Sequence, residues 1–187
     1  MSPSLVSIAE LNALDREAFV AALQPLFESA PPLAQALFDL RPFVSYAALL
    51  DATAAAIESL TPAEQTAVID AHPRIGASAT EVAARSAISY AEQGYDREAA
   101  LDRAELALVY AELARLNDDY AARHGFGFVV FVDGRSKAEV LAVLRQRIGN
   151  ATDDERRAAL DAMLAIARSR LAKWNNKEHH VLSDVCA

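Results

Sequence analysis

Only one stretch of this chain, residues 126–132, has the run of aromatic and β-branched side chains that is typical of a β-strand. Gly125 precedes it and Asp133-Gly134 follows it, so the stretch is short and sharply bounded. A solitary strand has no partner with which to form a sheet. The hydrophobic content of 53%, rich in alanine and with only 6 glycines, favours helices elsewhere. The sequence therefore predicts an all-α fold.

Two segments carry strong signals for the start of a helix. Thr61-Pro62-Ala63-Glu64 has the pattern of a capping box with proline at the first helical position, and Thr152-Asp153-Asp154-Glu155 has the pattern of a second box. Other caps and breaks divide the chain into about eight helices. Because 187 residues suffice for one full core, we expect a single-domain bundle of about eight helices, with one short extended segment near 126–132.

The end of the chain has a different composition from the rest. The last predicted helix ends near Lys173, and the polar stretch from Trp174 onward is typical of an arm or a frayed tail. We therefore expect a helical domain over residues 1–173 and a C-terminal tail over residues 174–187.

Charge and cysteine content exclude several classes of protein. A net charge of -8 without a basic stripe argues against nucleic-acid binding. The single cysteine, Cys186, excludes an internal disulfide, and His124, His179 and His180 lack the carboxylate spacing of a metal site, so no metal is expected. The N-terminus lacks the basic start and apolar core that are typical of a signal peptide, and the sequence has no run of about 18 apolar residues. We therefore expect a soluble cytoplasmic protein without a membrane partner.

The first candidate for chemistry is His72, which precedes Pro73 at a predicted helix end. The negative end of the helix dipole favours the imidazolium, so the pKa of His72 is expected to rise unless the ring is deeply desolvated. Such a histidine would suit a proton donor near neutral pH. From position alone, the simpler interpretation, that the His-Pro pair only ends the helix, is favoured.

A second candidate group is formed by Ser89, Glu92 and Gln93, spaced i, i+3 and i+4 in the last turn of a helix predicted over residues 80–93. A carboxylate beside a carboxamide could orient a histidine and bind a ligand rich in amides. An ordinary exposed helix end explains the same spacing equally well.

Arg170 is the odd residue of the last helix, because it falls within the apolar arc of that helix. A guanidinium directed at the core requires an anionic partner, either a buried carboxylate or a bound ligand, and a structural ion pair is the preferred interpretation. Arg147 and Arg156 are interpreted as ordinary surface charge. The apolar side of the arc consists of Leu160, Met163, Leu164, Ile166, Ala167 and Leu171.

The extended segment is a further candidate, since its unpaired backbone groups must find partners somewhere. Residues 125–130 could present free N–H and C=O groups to a ligand rich in amides. Packing of this apolar strip between helices is the more common alternative.

Taken together, these features resemble the 2-oxo-4-hydroxy-4-carboxy-5-ureidoimidazoline (OHCU) decarboxylase family, over about residues 8 to 171. Each motif alone is weak, but their order and spacing are specific. The matching segments are Leu11-Asn12, Phe27-Glu28-Ser29, Arg41-Pro42-Phe43, His72-Pro73-Arg74-Ile75-Gly76, Ser89-x-x-Glu92-Gln93, Gly125-Phe126-x-Phe128-Val129 and Ile166-x-x-x-Arg170-Leu171.

The resemblance implies an all-α, cofactor-free enzyme that decarboxylates OHCU to (S)-allantoin in urate breakdown and is usually a homodimer. It implies His72 as the catalytic acid/base, Glu92 as its partner and Arg170 at the substrate. The substrate-binding residues that it implies are Pro73, Ser89 and Gln93, with backbone groups of Phe128, Val129 and Val130.

The chain departs from the family pattern in its extended segment. The family usually has Phe-Gly-Phe-Pro-Phe-Val, whereas here His124 replaces the first aromatic residue and Gly127 replaces the proline. A looser segment would affect substrate affinity more than chemistry. After Ser29 the family usually has a Pro-Trp pair, and the tryptophan is absent here.

Two alternatives to this decarboxylase remain. One is a lyase or hydrolase that acts on another ureido compound on the same scaffold. The other is a non-enzymatic helical interaction module, in which His72, Glu92 and Arg170 would not converge on one pocket.

Overall fold

The computed structural model of the chain describes residues 5–28, 30–96 and 103–185. In these ranges the chain forms eleven helices and no β-strand, which confirms the all-α fold. The helices are α1 (Ile8–Ala13), α2 (Arg16–Ala22), α3 (Gln24–Phe27), α4 (Pro31–Asp39), α5 (Tyr46–Ser59), α6 (Pro62–Asp70), α7 (Ala79–Arg85), α8 (Ala87–Glu92), α9 (Arg103–His124), α10 (Lys137–Arg147) and α11 (Thr152–Val185).

Side-chain caps determine where several of these helices begin. Thr61 forms the predicted capping box of α6: its Oγ1 accepts a hydrogen bond from the Glu64 N–H at 3.3 Å, and the Glu64 carboxylate accepts one from the Thr61 N–H at 2.8 Å. Equivalent boxes start α1 and α10. Helix α11 begins at Thr152, but the second predicted capping box is wrong, because the Glu155 carboxylate accepts hydrogen bonds from Tyr120 and Arg147 instead of from Thr152.

The helices are more numerous than the predicted eight because some segments are divided. Residues 80–93 do not form one helix: Ser86 has an extended backbone, and its hydroxyl accepts a hydrogen bond from the Ser89 N–H, which caps α8 after α7 has ended. The helix predicted to open at Asp96 would begin in residues 97–102, outside the described ranges, and α9 is described from Arg103.

Helix α11 is longer than predicted. It continues to Val185, so the predicted end near Lys173 is wrong, because no proline or glycine after that position stops the helix. A separate tail over residues 174–187 stays a prediction. Within the described ranges, no helix is both long and apolar enough to cross a membrane.

Helix α11 forms much of the core, where it packs on α3, α5, α6 and α9. Its side chains Met163 and Ala167 are buried there. The extended segment over residues 126–132 lies against the same core, and Tyr120 of α9 packs edge-on against Phe128 with ring centroids 5.3 Å apart. Residues 127–132 are neither helix nor strand, and their apolar side chains pack between helices.

A buried polar network joins α9, α10 and the start of α11. Glu155 accepts hydrogen bonds from Tyr120 Oη at 2.6 Å, from Arg147 Nε at 2.9 Å and from Asn150 Nδ2 at 2.7 Å. Burial alone would raise the pKa of Glu155, but these hydrogen bonds outweigh it and hold the pKa below its usual value. Arg147 belongs to this network and is therefore not the ordinary surface charge that was predicted. Arg156 is not an ordinary surface charge either, because its guanidinium stacks on an aromatic ring.

Replacing Glu155 by glutamine is expected to lower the free energy of unfolding by about 3 kcal/mol, because the amide leaves the Arg147 charge without its partner. Urea unfolding followed by far-UV circular dichroism measures the change. Asp154→Asn is the matched control, since the neighbouring Asp154 is exposed and pairs with the exposed Arg157. Equal losses of stability in the two variants would contradict the importance of the network.

Candidate active site

A cavity of about 350 Å³ lies between the loop after α6, the end of α8, the extended segment and α11. The structure brings together here every residue that the sequence analysis assigned to the site. The cavity wall includes the three proposed catalytic residues and the six proposed binding residues: His72, Glu92, Arg170, Pro73, Ser89, Gln93, Phe128, Val129 and Val130.

His72 lies where the sequence predicts a helix end. Helix α6 ends at Asp70, and the His72 N–H still donates to the Ile69 carbonyl at 3.2 Å before Pro73 leads the chain away. Part of the residue is accessible, yet both ring nitrogens are shielded from solvent, and neither has a hydrogen-bond partner among the described residues. Buried polar atoms are rarely left unpartnered, so this imidazole is available to a ligand.

Burial lowers the pKa of His72 to about 4, and the positive charges of Arg170 and Arg85 act in the same direction. The Glu28 carboxylate opposes this shift without outweighing it. The sequence predicts a rise in this pKa only for a ring that is not deeply desolvated. Here the ring is deeply desolvated, and the cost of burying the imidazolium exceeds its stabilisation by the helix dipole. His72 is neutral at neutral pH and can accept a proton.

Arg170 is 4% exposed, and its guanidinium is surrounded by acceptors. Nη2 donates to Glu28 at 2.6 Å and to Glu92 at 2.8 Å, while Nε donates to Glu92 at 3.1 Å. Nη1 donates to the carbonyls of Pro25 and Leu26, both at 3.3 Å. Glu28 is the buried carboxylate that the sequence predicts as one possible partner, and the partly exposed Glu92 is a second carboxylate partner. No N–H of Arg170 is left without an acceptor.

Glu28 was not identified as a site residue from the sequence. Its Oε1 accepts hydrogen bonds from Arg170 Nη2, from Ser89 Oγ at 2.7 Å and from Ser86 Oγ at 3.0 Å. Its φ of +57° lies in the left-handed region, which is uncommon for residues other than glycine. The signal that could have found it is its place in the Phe27-Glu28-Ser29 segment of the family resemblance.

Glu92 was predicted to be the partner of His72, but in the structure it binds Arg170. Its two oxygens accept from Arg170 Nε at 3.1 and 3.2 Å, and no hydrogen bond joins Glu92 to His72. The Glu92 side chain remains 19% exposed. A carboxylate held in a defined orientation thus lies in the same cavity wall as the neutral imidazole of His72.

Gln93 is held in place from two sides. Its Nε2 donates to the Pro73 carbonyl at 3.2 Å, and Lys137 Nζ donates to the Gln93 carbonyl at 2.5 Å. The side-chain Oε1 of Gln93 is buried without a partner among the described residues. Gln93 can therefore accept a hydrogen bond from a ligand N–H, whereas the Ser89 hydroxyl is already bound to Glu28.

The extended segment supplies unpaired donors to the same wall. The N–H groups of Phe128, Val129 and Val130 form no hydrogen bond with the described part of the chain. Gly127 donates its N–H to Asp70 Oδ1 at 2.7 Å, a bond that the family's proline cannot form. The departure at Gly127 thus anchors the segment to the end of α6, contrary to the expectation of a looser segment.

Sequence reasoning also missed part of the cavity wall. Asp133 and Gly134, in the turn after the extended segment, line the cavity, as do Ser169 and Lys173 of α11. Lys173 lies three residues after Arg170 and therefore shares its helix face. Lys173 falls just outside the apolar arc of the helix, so the periodicity that singled out Arg170 does not single out Lys173.

His72 makes the stability of the fold depend on pH. Its pKa is 6.5 in the unfolded chain and about 4 in the fold, so the unfolded state binds the proton more readily. Neutral His72 makes its full contribution to the free energy of unfolding when the pH is above the pKa of the unfolded chain. This contribution is lost as the pH falls toward the lower pKa that His72 has in the fold. The limiting loss is about 3 kcal/mol.

The free energy of unfolding of the wild-type protein is therefore expected to fall more steeply between about pH 7 and about pH 5 than that of a His72→Gln variant. Urea titrations at both pH values measure the difference. The same pH dependence in both proteins would contradict a depressed pKa at His72.

Comparison with known proteins gives one consistent result. The sequence profile of the OHCU decarboxylase family matches residues 12–172. The OHCU decarboxylase of Haloferax volcanii is 31% identical over 92% of this chain and 98% of that protein, and that of Amia calva is 30% identical over 89% of this chain and 93% of that protein. A crystal structure of OHCU decarboxylase in the presence of (S)-allantoin matches with a TM-score of 0.61 and 21% identity, over 86% of this chain and 97% of that one, so the fold is shared.

Proposed function

This chain belongs to the OHCU decarboxylase family and is therefore a carboxy-lyase of urate breakdown. We propose that it converts OHCU to (S)-allantoin and carbon dioxide in the cavity beside His72. The observation that carries the proposal is that the nine residues singled out from the sequence line one cavity. Its volume of about 350 Å³ is suited to one small ligand. A helical interaction module would not require His72, Glu92 and Arg170 to converge.

The substrate itself supplies the means of losing its carboxylate. In OHCU the carbon that bears the carboxylate also bears a hydroxyl and is bonded to a ring carbon that forms a C=N bond. When the C–C bond to the carboxylate breaks, carbon dioxide leaves and the electron pair moves toward that C=N group. The protein must orient the carboxylate out of the ring plane, stabilise the delocalised charge and direct one proton to one face.

His72 is assigned the proton transfers. As a neutral base it accepts the proton of the substrate hydroxyl, whose oxygen becomes the carbonyl of allantoin, and the resulting imidazolium donates that proton to the neighbouring ring carbon. A second proton, from solvent, neutralises the ring nitrogen that has taken up the electron pair. Delivery to one face sets the S configuration. The absence of hydrogen-bond partners for both ring nitrogens among the described residues supports this role.

The other polar residues of the wall are assigned to binding and charge stabilisation. Glu92, held by Arg170, accepts hydrogen bonds from substrate N–H or O–H groups, and the Gln93 side-chain oxygen accepts one from the ureido group. The free N–H groups of Phe128 to Val130 bind substrate oxygens. Arg170 is assigned a positioning role, because it orients Glu92 through the hydrogen bonds already formed.

The His72→Ala variant is expected to form (S)-allantoin at least about 100-fold more slowly than the wild type, because it lacks the proton-transfer group. The assay generates OHCU in situ from urate with the two upstream enzymes and follows product chirality by circular dichroism. Arg74→Gln is the control, since Arg74 lies two residues away in an exposed pair with Asp118. Near-normal turnover by a folded His72→Ala protein would overturn the assignment.

The pH dependence of turnover gives a second test. Because the pKa of His72 is lowered to about 4, the base is unprotonated across the neutral range, and kcat/KM is expected to stay level there and to fall only well below pH 6.5. Initial rates of OHCU consumption across this range measure the profile. An acidic limb centred on the ordinary histidine pKa would contradict a desolvated base.

The main alternative is a lyase or hydrolase for another ureido compound. It shares the fold and the cavity and differs only in the ligand that the wall accepts. If the wild-type protein does not accelerate (S)-allantoin formation beyond the uncatalysed background, the OHCU assignment falls. A panel of ureido acids then tests this alternative.

The same proposal includes a homodimer in the cytoplasm. The homodimer is implied by the family resemblance, whereas the cytoplasmic location is an expectation from the sequence. Sedimentation equilibrium of the full chain tests the dimer, and fractionation of source cells tests the location.

A further inference from the structure

The positive charge of Arg170 is balanced by carboxylates of the protein itself. Glu28 and Glu92 each bind its guanidinium, so the buried cluster formed by these three residues carries one net negative charge. Asp133 adds another carboxylate to the cavity wall, and His72 is neutral near pH 7. The proposed substrate is a carboxylate, and the whole chain has a net charge of -8. A wall of this charge would repel its own ligand.

Lys173 is the cation that can offset this repulsion. It lines the cavity on the α11 face that carries Arg170, and its side chain is exposed. Its ammonium forms no ion pair or hydrogen bond with the described residues, Asp133 included. A lysine side chain is long and its ammonium has three rotatable donors, so it can follow an anion into the cavity.

We propose that Lys173 is a substrate-binding residue that captures the carboxylate of the incoming anion at the cavity wall. This inference rests on the proposed function, because it assumes a substrate that bears a carboxylate. It adds to that function a group that attracts the anion. The guanidinium of Arg170 cannot have this role, because it is already paired with Glu28 and Glu92.

The chemistry also favours an exposed cation over a buried one for this task. Decarboxylation moves negative charge from the carboxylate into the ring. A strong, desolvated contact to the carboxylate would therefore stabilise the substrate more than the transition state and slow the reaction. A solvated lysine gives a weaker, screened attraction that favours binding and leaves the chemical step almost unchanged.

The test compares Lys173→Gln, Lys173→Arg and wild type with OHCU generated in situ. Lys173→Gln is expected to raise KM about fivefold with kcat unchanged, and Lys173→Arg to restore most of the affinity. Raising the salt concentration from about 0.05 to about 0.5 M is expected to raise the KM of the wild type and to change that of Lys173→Gln much less.

Arg168→Gln is the matched control. It removes one positive charge from the same helix, but Arg168 pairs loosely with Asp51 at 3.7 Å and does not line the cavity. Its KM is expected to equal that of the wild type. An equal rise in KM for Lys173→Gln and Arg168→Gln, or no rise for Lys173→Gln, would overturn the inference.

Binding of (S)-allantoin, measured by calorimetry, separates charge recognition from cavity shape. Allantoin lacks the carboxylate, so the wild type and Lys173→Gln are expected to bind it equally well. Weaker allantoin binding by Lys173→Gln would overturn carboxylate recognition. A wild type that does not turn over OHCU overturns the proposed function, and this inference with it, whereas normal turnover with an unchanged KM in Lys173→Gln overturns this inference alone.

Discussion

The buried charge of Arg170 is the constraint on which the site depends. A guanidinium inside a protein is tolerated only with carboxylates and further acceptors around it, and here they come from segments far apart in the chain. Glu28 lies 142 residues away in sequence and Glu92 lies 78 residues away. By binding both, Arg170 draws the end of α3 and the end of α8 onto α11. The orientation of Glu92 and the position of the adjacent Gln93 follow from this contact.

Burial explains why the imidazole of His72 is neutral, and the Arg170 cluster modifies that effect. The helix end alone would favour the imidazolium, but the ring nitrogens are shielded and the guanidinium of Arg170 is nearby. Burial has the largest effect on the pKa, the arginine adds to it, and Glu28 opposes it without reversing it. The packing that shields the ring nitrogens thus decides which protonation state the cavity presents to a ligand.

The sequence predicted what local interactions decide. The capping box at Thr61, the helix end before Pro73 and the anionic partner of Arg170 all follow from spacing of a few residues. Glu28 could not be predicted as that partner, because no local pattern relates it to Arg170. The break at Ser86 was missed for a similar reason, since the same serine hydroxyl that caps α8 also donates to Glu28 in another part of the chain.

Two kinds of positive charge in one cavity wall are consistent with the demands of a decarboxylation. The buried charge of Arg170 is balanced by protein carboxylates, so it can organise the wall without binding the carboxylate of the substrate too tightly. Weak attraction suits capture of an anion whose charge must then move into the ring, and an exposed ammonium supplies that kind of attraction. Because the two positive charges are separate, packing around Arg170 determines the geometry of His72 and Glu92. The accessible Lys173 side chain determines how readily an anion enters the cavity.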